Sequence, residues 1–309
     1  MVNLFAHVVP VQLRLRAGLD NRFGETLRPV AMLCGMHQFA DLRTILGDER
    51  RNRAIRGFRS FRGRHSDSLL YVCGFILRHI MNKILGVLGG MGPLATVDFL
   101  QKLIEETPAR RDQDHVPVIA YSVPQMPDRP PAIIGTGESP LPHMLTGIRT
   151  LKQAGAQAIA IACNTAHYWY EELSREGGLP ILHMADAACD ALGNAKRAGL
   201  LATEGTVAAG FYQSRLTARG IECLLSSRDQ QRTLVLPAIE HVKRNELVQA
   251  HELVHQAARR LLDNGAQVIV MGCTEIPLAM AYQASDVSLH CVDATRALAR
   301  TCVRWWQTA

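Results

Sequence analysis

The alternation of strand-like and helix-like segments from residue 81 onward predicts an α/β protein with parallel sheets, and an internal repeat predicts two similar halves. Three observations carry this. Short apolar runs of strand length alternate with segments whose apolar residues have helical spacing. The series opens as strand, glycine turn and helix: Lys83–Leu88, Gly89-Gly-Met-Gly-Pro93, then Leu94–Ile104. Residues 149–163 can be laid on 259–273 at a constant offset of 110, with Arg, Leu, Gly, Ala, Gln, Ile and Cys coinciding.

The elements follow in order. Val116–Tyr121 reads as a strand, followed by a Pro-rich loop to Pro142 and a helix over Met144–Ala154. Ala158–Ala162 is a buried strand, with helical sequence at Ala166–Ser174. A short strand at Ile181-Leu182 precedes a helix over Ala185–Ala198. Gly199–Ala202 is a strand and Val207–Arg219 a helix, then Glu222–Leu225 and Thr233–Leu236 are expected as short strands. Asn245–Asn264 is a long helix, Val268–Met271 a strand and Thr295–Trp306 the last helix. Each copy of the repeat is a helix end capped by Gly (155 and 265), a buried strand, and a cysteine at the strand's end (163 and 273).

The chain has 309 residues, 48% hydrophobic and 20% charged, which suits a globular protein of two domains. Its longest apolar run, Leu69–Leu77, falls short of the roughly 20 residues a membrane helix needs. The net charge of +6 is unevenly placed. Residues 1–80 hold 13 Arg, no Lys and 6 acids, while the rest holds 21 bases and 22 acids. The body therefore has no basic bias that would suit nucleic acid. Residues 1–80, with the basic run Arg50–Arg64, do not read as a domain of the same kind. They fit a start placed upstream of the native one, a flexible tail or targeting segment, or an extra domain; a transit peptide would lack acids and carry more Ser. The fold is expected to begin at Met81.

Eight cysteines stand at 34, 73, 163, 189, 223, 273, 291 and 302. No CxxC pair or clustered Cys/His set points to structural zinc. A large chain without a recognisable secretory signal points to free thiols in a reducing, cytoplasmic setting. Only Cys163 and Cys273 share the same position at a strand's carboxyl end, where open α/β sheets bind ligands. A buried packing role is the alternative for either thiol alone. A helix N-terminus just beyond such a thiol is expected to favour thiolate. Asn164, Thr165 and Thr274, with the glycine turn that includes Met91 and Gly92, offer donors for a developing negative charge. Two such thiols suit proton removal from one face of a weakly acidic Cα–H and return from the other.

The segments Gly89–Thr96 (GGMGPLAT), Ala162–His167 (ACNTAH) and Gly272–Pro277 (GCTEIP) closely resemble the aspartate/glutamate racemase family, in its aspartate-racemase and broad-specificity branch. Glutamate racemases usually carry Cys-Thr-His at the last motif, where this chain has Cys-Thr-Glu275. The resemblance covers Met81 to the C-terminus. It implies two α/β domains related by a pseudo-twofold axis with the active site between them. It also implies no PLP, no metal, a small amino-acid substrate and a homodimer. The expected division is 81–197 with 291–309 as the first domain and 198–290 as the second.

On the same basis Cys163 and Cys273 match the family's catalytic thiols. Arg129, in Pro124-Gln-Met-Pro-Asp-Arg, matches an arginine that binds a substrate carboxylate, and a planar guanidinium suits that pairing. Lys243 resembles a lysine that helps hold acid groups, and Thr203, in Thr203-Glu-Gly-Thr206, resembles a Thr-rich loop at the domain junction. Met91, Gly92 and Glu275 complete the expected substrate-facing set. His167 reads either as a proton relay to Cys163 or as a locally bonded helix residue. The reading is an amino-acid racemase for aspartate or glutamate. The alternatives are an isomerase or decarboxylase of small dicarboxylic acids, and a protein that binds an acidic ligand without chemistry.

Overall fold

A computed structural model of the chain describes residues 83–308; the readings of residues 1–80 lie outside the described residues. The elements are β1 (Leu85–Gly89), α1 (Pro93–Glu106), β2 (Val118–Ser122), α2 (Arg129–Ile133), α3 (Leu141–Gln153), β3 (Ala158–Ile161), α4 (Tyr170–Gly177), β4 (Ile181–Leu182) and α5 (Met184–Asp190). There follow β5 (Arg197–Leu201), α6 (Glu204–Ala209), α7 (Phe211–Ala218), β6 (Glu222–Leu225), α8 (Arg228–Gln230), α9 (Leu236–Lys243) and α10 (Leu247–Asp263). The chain closes with β7 (Val268–Met271), α11 (Ile276–Ala281), β8 (Cys291–Asp293) and α12 (Ala294–Gln307).

Two four-stranded parallel sheets form, ordered β2-β1-β3-β4 and β6-β5-β7-β8. The order is the same in both, so the repeat seen in the sequence extends to whole halves. Gly155 and Gly265 stand at φ of 103° and 92°, the left-handed conformation that ends α3 and α10 and that a side chain would resist. Side chains alternate across the strands. Leu85, Val87, Ala160 and Ala162 join Ala198, Leu200, Ala202 and Val270 in a core shared by both sheets. Leu88, Ile159 and Ile161 face an outer core in the first half, and Leu201, Ile269 and Met271 face its counterpart in the second. Burial on both faces explains why these strands are continuously apolar rather than alternating.

Four sequence expectations change. Thr233–Leu236 is helical, with a π turn over Gln231–Val235 leading into α9. Its Thr-Leu-Val-Leu composition favours a strand, but the Ser227/Gln230 capping box starts a helix upstream. Leu234, Val235, Ala238, Ile239 and Val242 then bury one helical face. The helix expected over Ala185–Ala198 stops at Asp190, and β5 begins at Arg197. Val207–Arg219 is broken by Gly210 at φ 72° into α6 and α7. The short strand β8 was not expected, and it pairs with β7. Residues 291–293 thus join the second sheet, although the division above put 291–309 with the first domain. The closing helix α12 packs against α1 and α5 of the first half. There Lys102 of α1 lies 2.5 Å from Asp98 and 2.7 Å from Asp293, a buried cluster tying the halves together.

Candidate active site

In each sheet the chain leaves the first strand to one side and returns on the other. The crevice beyond the carboxyl ends of β1 and β3, and of β5 and β7, is where such sheets take ligands. Register sets what emerges there. Leu88 pairs with Ile161, and the Ala162 N–H donates to Leu88 O at 3.0 Å. Leu201 pairs with Met271, and the Gly272 N–H donates to Leu201 O at 2.7 Å. Immediately beyond lie the glycine turn with Cys163 in one half, and Thr203–Thr206 with Cys273 in the other.

These four loops meet in pairs across the halves. Thr165 Oγ1 lies 2.9 Å from both Thr203 Oγ1 and Thr206 Oγ1. Thr203 caps α6 by accepting the Thr206 N–H at 3.1 Å. On the other diagonal, a Cβ on Gly92 would lie 3.7 Å from Glu275 Oε1. Thr96 braces the glycine turn, accepting from the Gly90 N–H at 2.8 Å and donating to Gly92 O at 2.9 Å. Met91 is buried and belongs to the outer core of the first half, the same cluster that holds Cys163.

Cys273 is buried, and its thiol donates to Glu275 Oε2 at 3.0 Å. Thr274 Oγ1 donates to the same oxygen at 3.1 Å. Burial pushes the Cys273 thiol well above its usual range, the Glu275 carboxylate adds to this, and charge on Cys163 would raise it further. The expected lowering by a helix N-terminus is therefore reversed at Cys273: desolvation and a neighbouring carboxylate outweigh it. Glu275 itself is buried and, among the described residues, forms no ion pair.

Cys163 is also buried. The loop after it opens as a 3₁₀ turn, Thr165–Trp169, before α4. His167 Nδ1 lies 2.9 Å from the Cys163 carbonyl oxygen, and its Nε2 accepts the Met184 N–H at 3.2 Å. That leaves Nδ1 as the protonated nitrogen. Its proton goes to a backbone carbonyl, so the relay reading gives way to the local one. Burial pushes His167 down to about 4, and it pushes the neighbouring His183 down as well, so both rings are neutral.

Arg129 is buried at 8% exposure, and its Nη1 donates to Pro127 O at 3.1 Å and Met126 O at 3.3 Å. Its Nε has no partner among the described residues, and the nearest carboxylate, that of exposed Asp128, is 3.8 Å away. The helix it starts packs on α6, where a Cβ on Gly205 would lie 2.8 Å from Pro130 Cα. Arg129 is thus an incompletely used buried cation beside the Thr203–Thr206 loop. Lys243, by contrast, is exposed at the end of α9 and, among the described residues, forms no ion pair.

Sequence reasoning missed two residues that shape these loops. Tyr212 donates its hydroxyl to Asn164 Oδ1 at 2.5 Å, from 48 residues away. Gln231 Nε2 donates to Ala202 O at 2.8 Å, holding the end of β5. Nothing local signals either, since each bond joins segments far apart in sequence. Among the described residues no group of three or more His, Cys, Asp and Glu is placed to hold a metal ion.

Two matched halves, each ending a central strand in a buried thiol with polar loops beside it, define an α/β protein built on two equivalent parallel sheets. Residues 88–302 match the Asp/Glu/Hydantoin racemase family model, and the chain belongs to that family. The structure is similar to that of the aspartate racemase of Picrophilus torridus, with 32% identity, a TM-score of 0.65, and coverage of 73% of this chain and 94% of that one. The sequence is 28% identical to the broad specificity amino-acid racemase of Bacillus subtilis over 71% of this chain and 96% of that protein. An aspartate racemase homologue from Pyrococcus horikoshii shares the fold at 24% identity and a TM-score of 0.59, over 73% of this chain and 99% of its own.

Proposed function

We propose that the protein racemises an amino acid, aspartate or glutamate before others, by proton transfer between two thiols and Cα without a cofactor. The observation that carries this is the equivalent placement of Cys163 and Cys273, 110 residues apart, one residue beyond matched ladder bonds of β3 and β7. Arg129 is the buried cation suited to a substrate carboxylate. The carboxylate of Glu275, open toward Gly92, suits an ammonium group. One thiolate takes the α-proton, the electron pair moves into the carboxylate, and the opposite thiol returns a proton to the other face. Burial and Glu275 favour the protonated form of Cys273, and the two thiols exchange the roles of base and acid between the two directions of the reaction. The similarity to an aspartate racemase supports the choice of substrate. The homodimer and the reducing, cytoplasmic setting belong to the same proposal, and light scattering of the purified chain checks the first.

The test incubates purified protein with L-aspartate, L-glutamate and a panel of other L-amino acids in deuterated water without PLP. D-isomer carrying α-deuterium is expected from aspartate or glutamate. Neither product across the panel would overturn the reading.

A further inference from the structure

Asn164 is 1% exposed, and its amide carries one acceptor and one donor group that need partners. The acceptor is taken: Oδ1 receives the Tyr212 hydroxyl at 2.5 Å. The donor, Nδ2, has no partner among the described residues although it is fully buried. A buried amide nitrogen without a partner is expensive, about 1–3 kcal/mol. Its persistence beside Cys163 points to a partner that arrives with the substrate. Tyr212 belongs to α7 in the second half and is 0% exposed.

We infer that Tyr212 is a positioning residue: it locks the Asn164 amide so that Nδ2–H meets the carboxylate of the bound substrate. This rests on the racemase reading above. The lock works because rotating the amide by half a turn would strand the buried hydroxyl proton of Tyr212 without an acceptor. Burial pushes the Tyr212 hydroxyl well above its usual range, so it keeps that proton and stays a donor. When Cα–H is broken, charge builds on the substrate carboxylate, and a donor already aimed there needs no reorganisation. Asn164 follows Cys163 directly, so the base and this donor move as one loop.

The experiment is a double-mutant cycle on kcat/KM, measured with whichever amino acid the wild-type protein racemises. Tyr212→Phe keeps the ring and its packing on Phe211, and should lower kcat/KM about tenfold, the worth of one misdirected hydrogen bond. Asn164→Ala should lower it about a hundredfold, the loss of one charge-stabilising donor. The double variant should be no worse than Asn164→Ala alone, because Tyr212 acts only through Asn164. Additive losses would overturn the inference and leave Tyr212 a packing residue. A second readout needs no turnover. The Asn164 side-chain amide proton pair, identified by its loss in Asn164→Ala, should shift in Tyr212→Phe; an unmoved pair overturns the inference. If the wild-type protein racemises nothing, the racemase reading falls and the amide pair alone decides on Tyr212.

Discussion

The two halves share a strand order, a register and a helix-ending glycine, yet they surround their thiols differently. After Cys163 come Asn164 and Thr165, whose partners Tyr212, Thr203 and Thr206 lie in the other half. After Cys273 come Thr274 and Glu275, and the Glu275 carboxylate turns back to accept from both the thiol and the Thr274 hydroxyl. The same contrast recurs at the next strand, where neutral His183 caps α5 and the carboxylate of Asp293 caps α12, again 110 residues apart. The two halves thus share a geometry while the chemistry of their loops differs. Matching backbones place the thiols, and their neighbours differ in chemistry.

The comparison can be broken or sharpened by substitution, beginning with the largest effect. Cys163→Ala and Cys273→Ala should each lower racemisation by about 10³-fold or more, since either removes an acid–base group with no substitute; chiral chromatography of the product checks this. Glu275→Gln should lower kcat about tenfold, and should move the Cys273 limb of the pH–rate profile toward acid. Removing the carboxylate's charge makes the thiolate less costly, although burial, the larger cause, still holds the thiol up. A profile unchanged in shape would separate Glu275 from Cys273.

His167 affects stability rather than turnover. Its folded value, about 4, lies below the ordinary 6.5, so the native state refuses a proton that the unfolded chain accepts. Its contribution is complete above 6.5 and is lost as pH falls toward 4. Thermal unfolding should show Tm dropping across that interval, by about 3 kcal/mol of stability, and His167→Gln should flatten the drop. The smallest effect is expected at Lys243, exposed and unpaired among the described residues. Lys243→Ala should change kcat/KM less than about twofold, as surface charges commonly do. A larger loss would restore it to the site.

Much of this was legible from the chain because both halves obey local rules. Apolar runs bounded by glycine identify β1, β3, β5 and β7, and a thiol at the end of two of them marks the crevice. What sequence could not supply depends on contacts over long separations. The hydrogen bond from Tyr212 to Asn164 spans 48 residues, and the incomplete pairing of Arg129 follows from a burial that only the folded chain shows. Thr233–Leu236 misled because β-branched and leucine residues pack equally well on a buried helical face. The direction at Cys273 misled because a sequence shows that Glu275 is near, but not that its carboxylate turns back to the thiol.

The opposed-thiol claim is tested most directly by α-deuterium exchange in the two single-cysteine variants, each offered pure L- and pure D-substrate in deuterated water. With one base on each face, neither variant should interconvert the enantiomers. Any exchange that survives should be confined to one enantiomer in Cys163→Ala and to the other in Cys273→Ala. Racemisation persisting in either variant, or both variants exchanging the same enantiomer, would contradict it.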